Sequence, residues 1–118
     1  MLFQQREVNP YAEPVPVNEL EVSGVYFSVT FCDQEMLIPA METLVYIGRD
    51  LEPGDVAQFY FQDIDSYQRG VQYGSVNQEE QATFYIYPEE ELSHVFDYER
   101  ALDILMVCSM RRRGIPVE

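Results

Sequence analysis

Lysine is missing from this sequence. All seven bases are arginine, against 21 acids, for a formal net charge of −14 over 118 residues. A field this negative repels nucleic acid and anionic membrane and attracts basic proteins. Histidine occurs once, as His94 beside the acidic run Glu89–Glu91. A lone histidine can work as an acid–base group, but no nucleophile is placed with it, and it reads as a helix-entry residue. The two cysteines, Cys32 and Cys108, make no disulfide framework and read as thiols buried as small hydrophobes. No apolar run approaches the length of a membrane span, and the first residues lack the charged-then-apolar order of a signal peptide. The cytoplasm is the expected compartment.

Motifs for metals and nucleotides fail on inspection. Asp63-Ile64-Asp65 begins like a calcium loop, but Gln68 stands where glycine is needed and Gly74 where glutamate is. The glycine-containing loop Arg69–Ser75 has no Lys-Ser/Thr after it and opens no clear helix, so it is neither a Walker loop nor a dinucleotide fingerprint. No metal, no cofactor and no catalytic residue is assigned, and the balance leans away from an enzyme.

What the chain does have is 47% hydrophobic residues, enough to argue against wholesale disorder, in a length typical of one domain. Residues 1–19 carry Pro10, Pro14 and Pro16 and read as an extended arm. Val25, Phe27, Val29 and Phe31 alternate with Tyr26, Ser28 and Thr30, a half-buried strand. Met36-Leu37-Ile38 reads as a short return strand ended by Pro39. Thr43–Gly48 and Val56–Ile64 flank the turn signal Leu51–Asp55, in which Pro53 presets one turn angle and Gly54 supplies the positive one. They read as a hairpin. Asp65–Gln81 is a long irregular stretch with room for a short strand at Val71–Tyr73. Ala82–Tyr87 alternates once more, and Pro88 ends it.

The last third, Asp97–Arg113, predicts a helix. Asp97 can cap free N–H groups, Glu99 suits the positive end of the dipole and Arg111, Arg112 and Arg113 suit the negative end. Gly114 and Pro116 then stop it. At about 100° per residue, Ala101, Leu102, Ile104, Leu105, Met106 and Cys108 form an apolar arc centred near Leu105. Val107 and Met110 fall on the polar side with Glu99, Arg100, Asp103 and Arg111.

These elements define an α+β protein, an antiparallel meander of four to five strands with one C-terminal helix packed on it. A strongly curved or barrel-like sheet is the alternative. With the Phe/Val/Ile face under the helix, the other face would present Tyr26, Tyr46, Tyr60, Tyr85 and Tyr87 with Gln58 and Gln62. Tyrosine gives large contact area at low entropic cost, as in recognition surfaces. Val107, Met110 and Arg111–Arg113 form a second candidate contact, with a partner subunit in a homodimer or, for Val107 and Met110, with the N-terminal arm. The leading functional expectation is a small acidic, non-enzymatic protein-interaction module. An inhibitor or immunity-type protein binding a basic partner is one form of it. The alternatives are a small-molecule site or enzyme in the sheet concavity, floored by Tyr60 and Tyr85 and rimmed by Asp63 and Asp65, and a homo-oligomeric structural component.

Overall fold

Four strands follow one another as an antiparallel meander in a computed structural model that describes residues 7, 12–74 and 81–116. They are β1 (Val25–Phe31), β2 (Pro39–Arg49), β3 (Gln58–Asp63) and β4 (Phe84–Pro88). A short helix α1 (Ile64–Gln68) lies between β3 and β4. A fifth strand, β5 (Val95–Phe96), returns to pair with β1, giving the order β4-β3-β2-β1-β5. The C-terminal helix α2 (Tyr98–Arg112) packs on this sheet, which does not close into a barrel. The α+β meander expected from the sequence is the observed fold. Parts of the expected arm, at 1–6 and 8–11, lie outside the described residues, as does 75–80 of the long connection.

Several boundaries move for local reasons. The expected short strand at 36–38 and its neighbour at 43–48 are replaced by the single strand β2. Pro39 opens that strand, a place where its missing N–H costs no ladder bond. The turn before it is held by Asp33, whose carboxylate accepts from the N–H groups of Leu37 and Ile38. Val71–Tyr73 forms no strand, and β3 gives way to α1 at Ile64 because Asp63 caps the helix, accepting from the Ser66 N–H at 2.9 Å. In β2 a bulge between Tyr46 and Gly48 shifts the register, and a Cβ at Gly48 would meet Leu51 at 2.9 Å.

The sheet has to curl. Its edges β4 and β5 are four strand spacings apart, roughly 19 Å in a flat sheet. The six residues Glu89–His94 that join them form a 3-10 turn, which spans roughly 12 Å. Leu92 from this turn enters the concave side with Val15, Tyr26, Leu44, Tyr46, Phe59, Phe61 and Val95, making the main core. On the convex side Phe27, Val29 and Phe96 meet Ala101 and Ile104 of α2.

The helix begins where expected, with the Asp97 carboxylate accepting from the Arg100 N–H at 3.0 Å, and Gly114 (φ 69°) follows its end. Its rotation differs from the expected one. Val107, placed on the polar side by periodicity, is 2% exposed, whereas Leu102 and Met106, placed at the core, are 51% and 47% exposed. Ala101 and Ile104 are the arc residues that meet the sheet, Cys108 lies against the Leu37 carbonyl of the β1–β2 turn, and Leu102 and Met106 are left facing outward.

Candidate functional site

The expected open tyrosine face does not exist as one surface. Tyr26 and Tyr46 are buried in the concave core, and Tyr85 and Tyr87 pack against it half-buried. Register explains this: Phe59 pairs with Tyr87 and Phe61 with Tyr85, so those phenylalanines and tyrosines share a face. Phe61, 0% exposed, lies at 5.3 Å from the Tyr46 ring and 5.9 Å from the Tyr87 ring. Tyr60 lies on the convex side, 1% exposed beneath the chain that follows α1. Gln62 is beside it and donates to Ser66 Oγ and the Val71 carbonyl, both at 2.9 Å. Gln58, at the strand's start, donates from its amide to the Val56 carbonyl. Both faces of β3 are thus covered, and the concavity is filled by phenylalanine and leucine, leaving no polar site floored by Tyr60 and Tyr85.

The tyrosine hydroxyls find carboxylates. Tyr85 donates to Glu42 at 3.0 Å across the concave face. Burial, reinforced by that bond, pushes its pKa up to about 12. Tyr60 donates to Asp55, and the same bond holds its pKa far above the ordinary value. Burial raises Tyr46 and Tyr87 as well. Each of these groups is a neutral donor at physiological pH, suited to locking strands and turns and unsuited to proton transfer there.

The other singled-out residues are spread apart. Burial pulls the Asp63 pKa upward, but hydrogen bonds from Ser66 and the Thr83 N–H outweigh it and hold the carboxyl below its usual value. Asp65 pairs with Arg69 at 3.1 Å, one helical turn on. His94 sits edge-on to Tyr87 at 5.1 Å. Among the described residues no group of three or more His, Cys, Asp or Glu side chains converges as a metal site requires. Cys108 is buried with its thiol at 3.4 Å from the Leu37 carbonyl, and Cys32 is exposed, not buried as expected. At the end of α2, Arg111 and Arg112 donate to the carbonyls of Met36 and Leu37, clamping the β1–β2 turn. Arg113 is exposed, Met110 is half-buried, and Val107, being buried, is not available as a contact residue.

Two larger concave features lie among the described residues. The first is a groove of about 420 Å³ between residues 13–18 of the arm and residues 89–93 of the 3-10 turn. The Val15 N–H donates to the Val95 carbonyl at 3.0 Å, which ties the arm to the sheet edge and sets the groove's width. Pro14, Val15, Pro16, Val17 and Leu92 supply apolar lining; Glu13, Glu89 and Glu90 supply carboxylates, and no base lines it. The acidic run and the proline-bearing arm are each visible in the sequence, but only β5 brings them together, and a two-residue strand leaves no periodicity to read. The second is a cleft of about 400 Å³ between β2 and the chain after α1, lined mostly by Val22, Ile47, Leu51, Val71 and Tyr73. Tyr67 donates to Ser23 Oγ at 2.8 Å at its side. No helix is long and apolar enough to cross a membrane among the described residues. Compared with protein-family models, curated proteins and solved structures, the chain matches none of them. The geometry defines a class, a small acidic α+β protein with an acid-rimmed groove.

Proposed function

We propose that the protein is a non-enzymatic interaction module that binds a basic partner protein in the groove between the arm and the 3-10 turn. The observation that carries this reading is the lining: three carboxylates over an apolar floor of prolines, valines and a leucine. Arginine and lysine side chains have matching chemistry, an aliphatic stem that lies on apolar surface and a charged head that seeks a carboxylate. The net charge of −14 steers such a partner from a distance and speeds association. An inhibitor or immunity-type protein that blocks a basic enzyme is the most concrete form of this role. The reading takes the cytoplasm as its compartment, where Cys32 and Cys108 stay reduced.

The test is capture from cell extract at low and high salt. A partner is expected at low salt, released as salt rises, and lost with a Glu13→Gln/Glu89→Gln/Glu90→Gln variant. Recovery of nothing at low salt, or equal recovery by the variant, refutes the reading. A small-molecule role is the second reading, moved from the filled concavity to the mostly apolar cleft of about 400 Å³ beside Tyr67, whose size and lining suit a small, largely apolar ligand.

A further inference from the structure

The outward face of α2 is apolar where solvent would favour charge. Tyr98, Leu102, Leu105, Ser109 and Arg112 recur at spacings of four, three, four and three, the seam pattern of two helices in lengthwise contact. Tyr98 is 57% exposed, and Leu102 and Met106 are nearly as open. Beside them Phe27, Met41 and Leu105 line a wholly apolar dent of about 140 Å³, room for an inserted side chain. At its ends Tyr98 meets the Phe27 ring edge-on at 5.0 Å and Arg112 donates to the Leu37 carbonyl, while Leu102 and Met106 between them stay open.

Charge selects the occupant. Glu99, Met106 and Arg113 flank the seam on one side at seven-residue intervals. The Glu99 and Arg113 side chains have no ion pair or hydrogen bond with another described residue. In two copies of α2 packed antiparallel about a twofold axis near Met106, the flanking residues equidistant from 106 meet. Glu99 then faces Arg113 of the second copy, twice by symmetry, and Met106 faces Met106. A parallel pairing would set Glu99 against Glu99 and Arg113 against Arg113, which like-charge repulsion disfavours. We propose that α2 is a homodimerisation surface, whose occupant is a second copy of this chain docked antiparallel along the Tyr98–Arg112 stripe.

A helix of 15 residues is roughly 22 Å long, and a contact of that length falls short of the area buried in permanent dimers. The dimer is therefore reversible and concentration-dependent. Two copies each at −14 repel at long range, so added salt strengthens it. Binding of a basic partner in the groove weakens with salt, so the two proposals fail separately.

Sedimentation of the full chain over a concentration series, at low and moderate salt, is the test. A monomer–dimer equilibrium that shifts to dimer with salt is expected. Glu99→Arg alone and Arg113→Glu alone each weaken it roughly three- to tenfold, and the double reversal restores it. Met106→Glu, at an exposed site that circular dichroism can confirm as folded, lowers association by more than about tenfold by facing two carboxylates across the axis. Met106→Cys in a Cys32→Ser background yields an interchain disulfide under mild oxidation. A monomer at every concentration overturns the proposal. So does a dimer indifferent to Met106→Glu, or a double reversal that recovers nothing.

Discussion

The backbone N–H of Val15 donates to the carbonyl of Val95 at 3.0 Å, joining the arm to the last and shortest strand. This one bond lays Pro14 and Pro16 beside the acidic turn and lets the Val15 side chain enter the concave core. Val15→Ala is expected to lower stability by about 1.5–3 kcal/mol, through lost burial and the cavity left behind. Denaturant unfolding measures it. A change within error would mean that the arm lies on the domain without contributing to it.

The rotation of α2 makes an ordering prediction. Val107→Ala, at a buried site, should cost about 2–3 kcal/mol. Leu102→Ala, at an exposed one, should leave monomer stability within about 0.5 kcal/mol. Thermal melts of the two variants at low concentration compare them directly. The reverse ranking would restore the orientation that periodicity alone suggests.

Tyr85 gives a pH dependence. Burial first, and then its bond to Glu42, raise its pKa from 10.0 to about 12. A folded-state pKa above the unfolded value means that the folded protein holds this proton more tightly. The contribution is fully present below about pH 10 and is lost as pH rises from there through 12. Near-ultraviolet absorbance titration should show several late-titrating tyrosines, Tyr46, Tyr60, Tyr85 and Tyr87, and in Glu42→Gln the late phase should lose part of its amplitude to lower pH, though not to the ordinary value, because burial of Tyr85 remains. An unchanged late phase would show that the hydrogen bond contributes nothing.

The fold was largely legible and the site was not, for a common physical reason. Alternation along each strand correctly separated Phe59 and Phe61 from Tyr60, and Tyr85 and Tyr87 from Ile86. Period two says which residues of one strand share a face. It does not say which faces of neighbouring strands are joined; pairing register does that, and it placed Phe59 opposite Tyr87. The tyrosines therefore went to the core, and Ile86 went outward. The helix ends were legible because Asp97 and Gly114 are local signals. Its rotation was not, because it depends on the fit of Ala101 and Ile104 against a sheet made elsewhere in the chain. The groove needed β5, whose two residues carry no pattern.

We predict that the groove receives basic side chains, and a backbone-amide chemical-shift map decides it. Titration with a short synthetic oligo-arginine peptide at low salt is expected to move the amides of residues 13–18 and 89–93 more than those around Glu35, Glu52 or Glu99. The perturbations should shrink as salt is added and collapse in the Glu13→Gln/Glu89→Gln/Glu90→Gln variant. Shifts spread evenly over the acidic surface, or centred away from the groove, would contradict it.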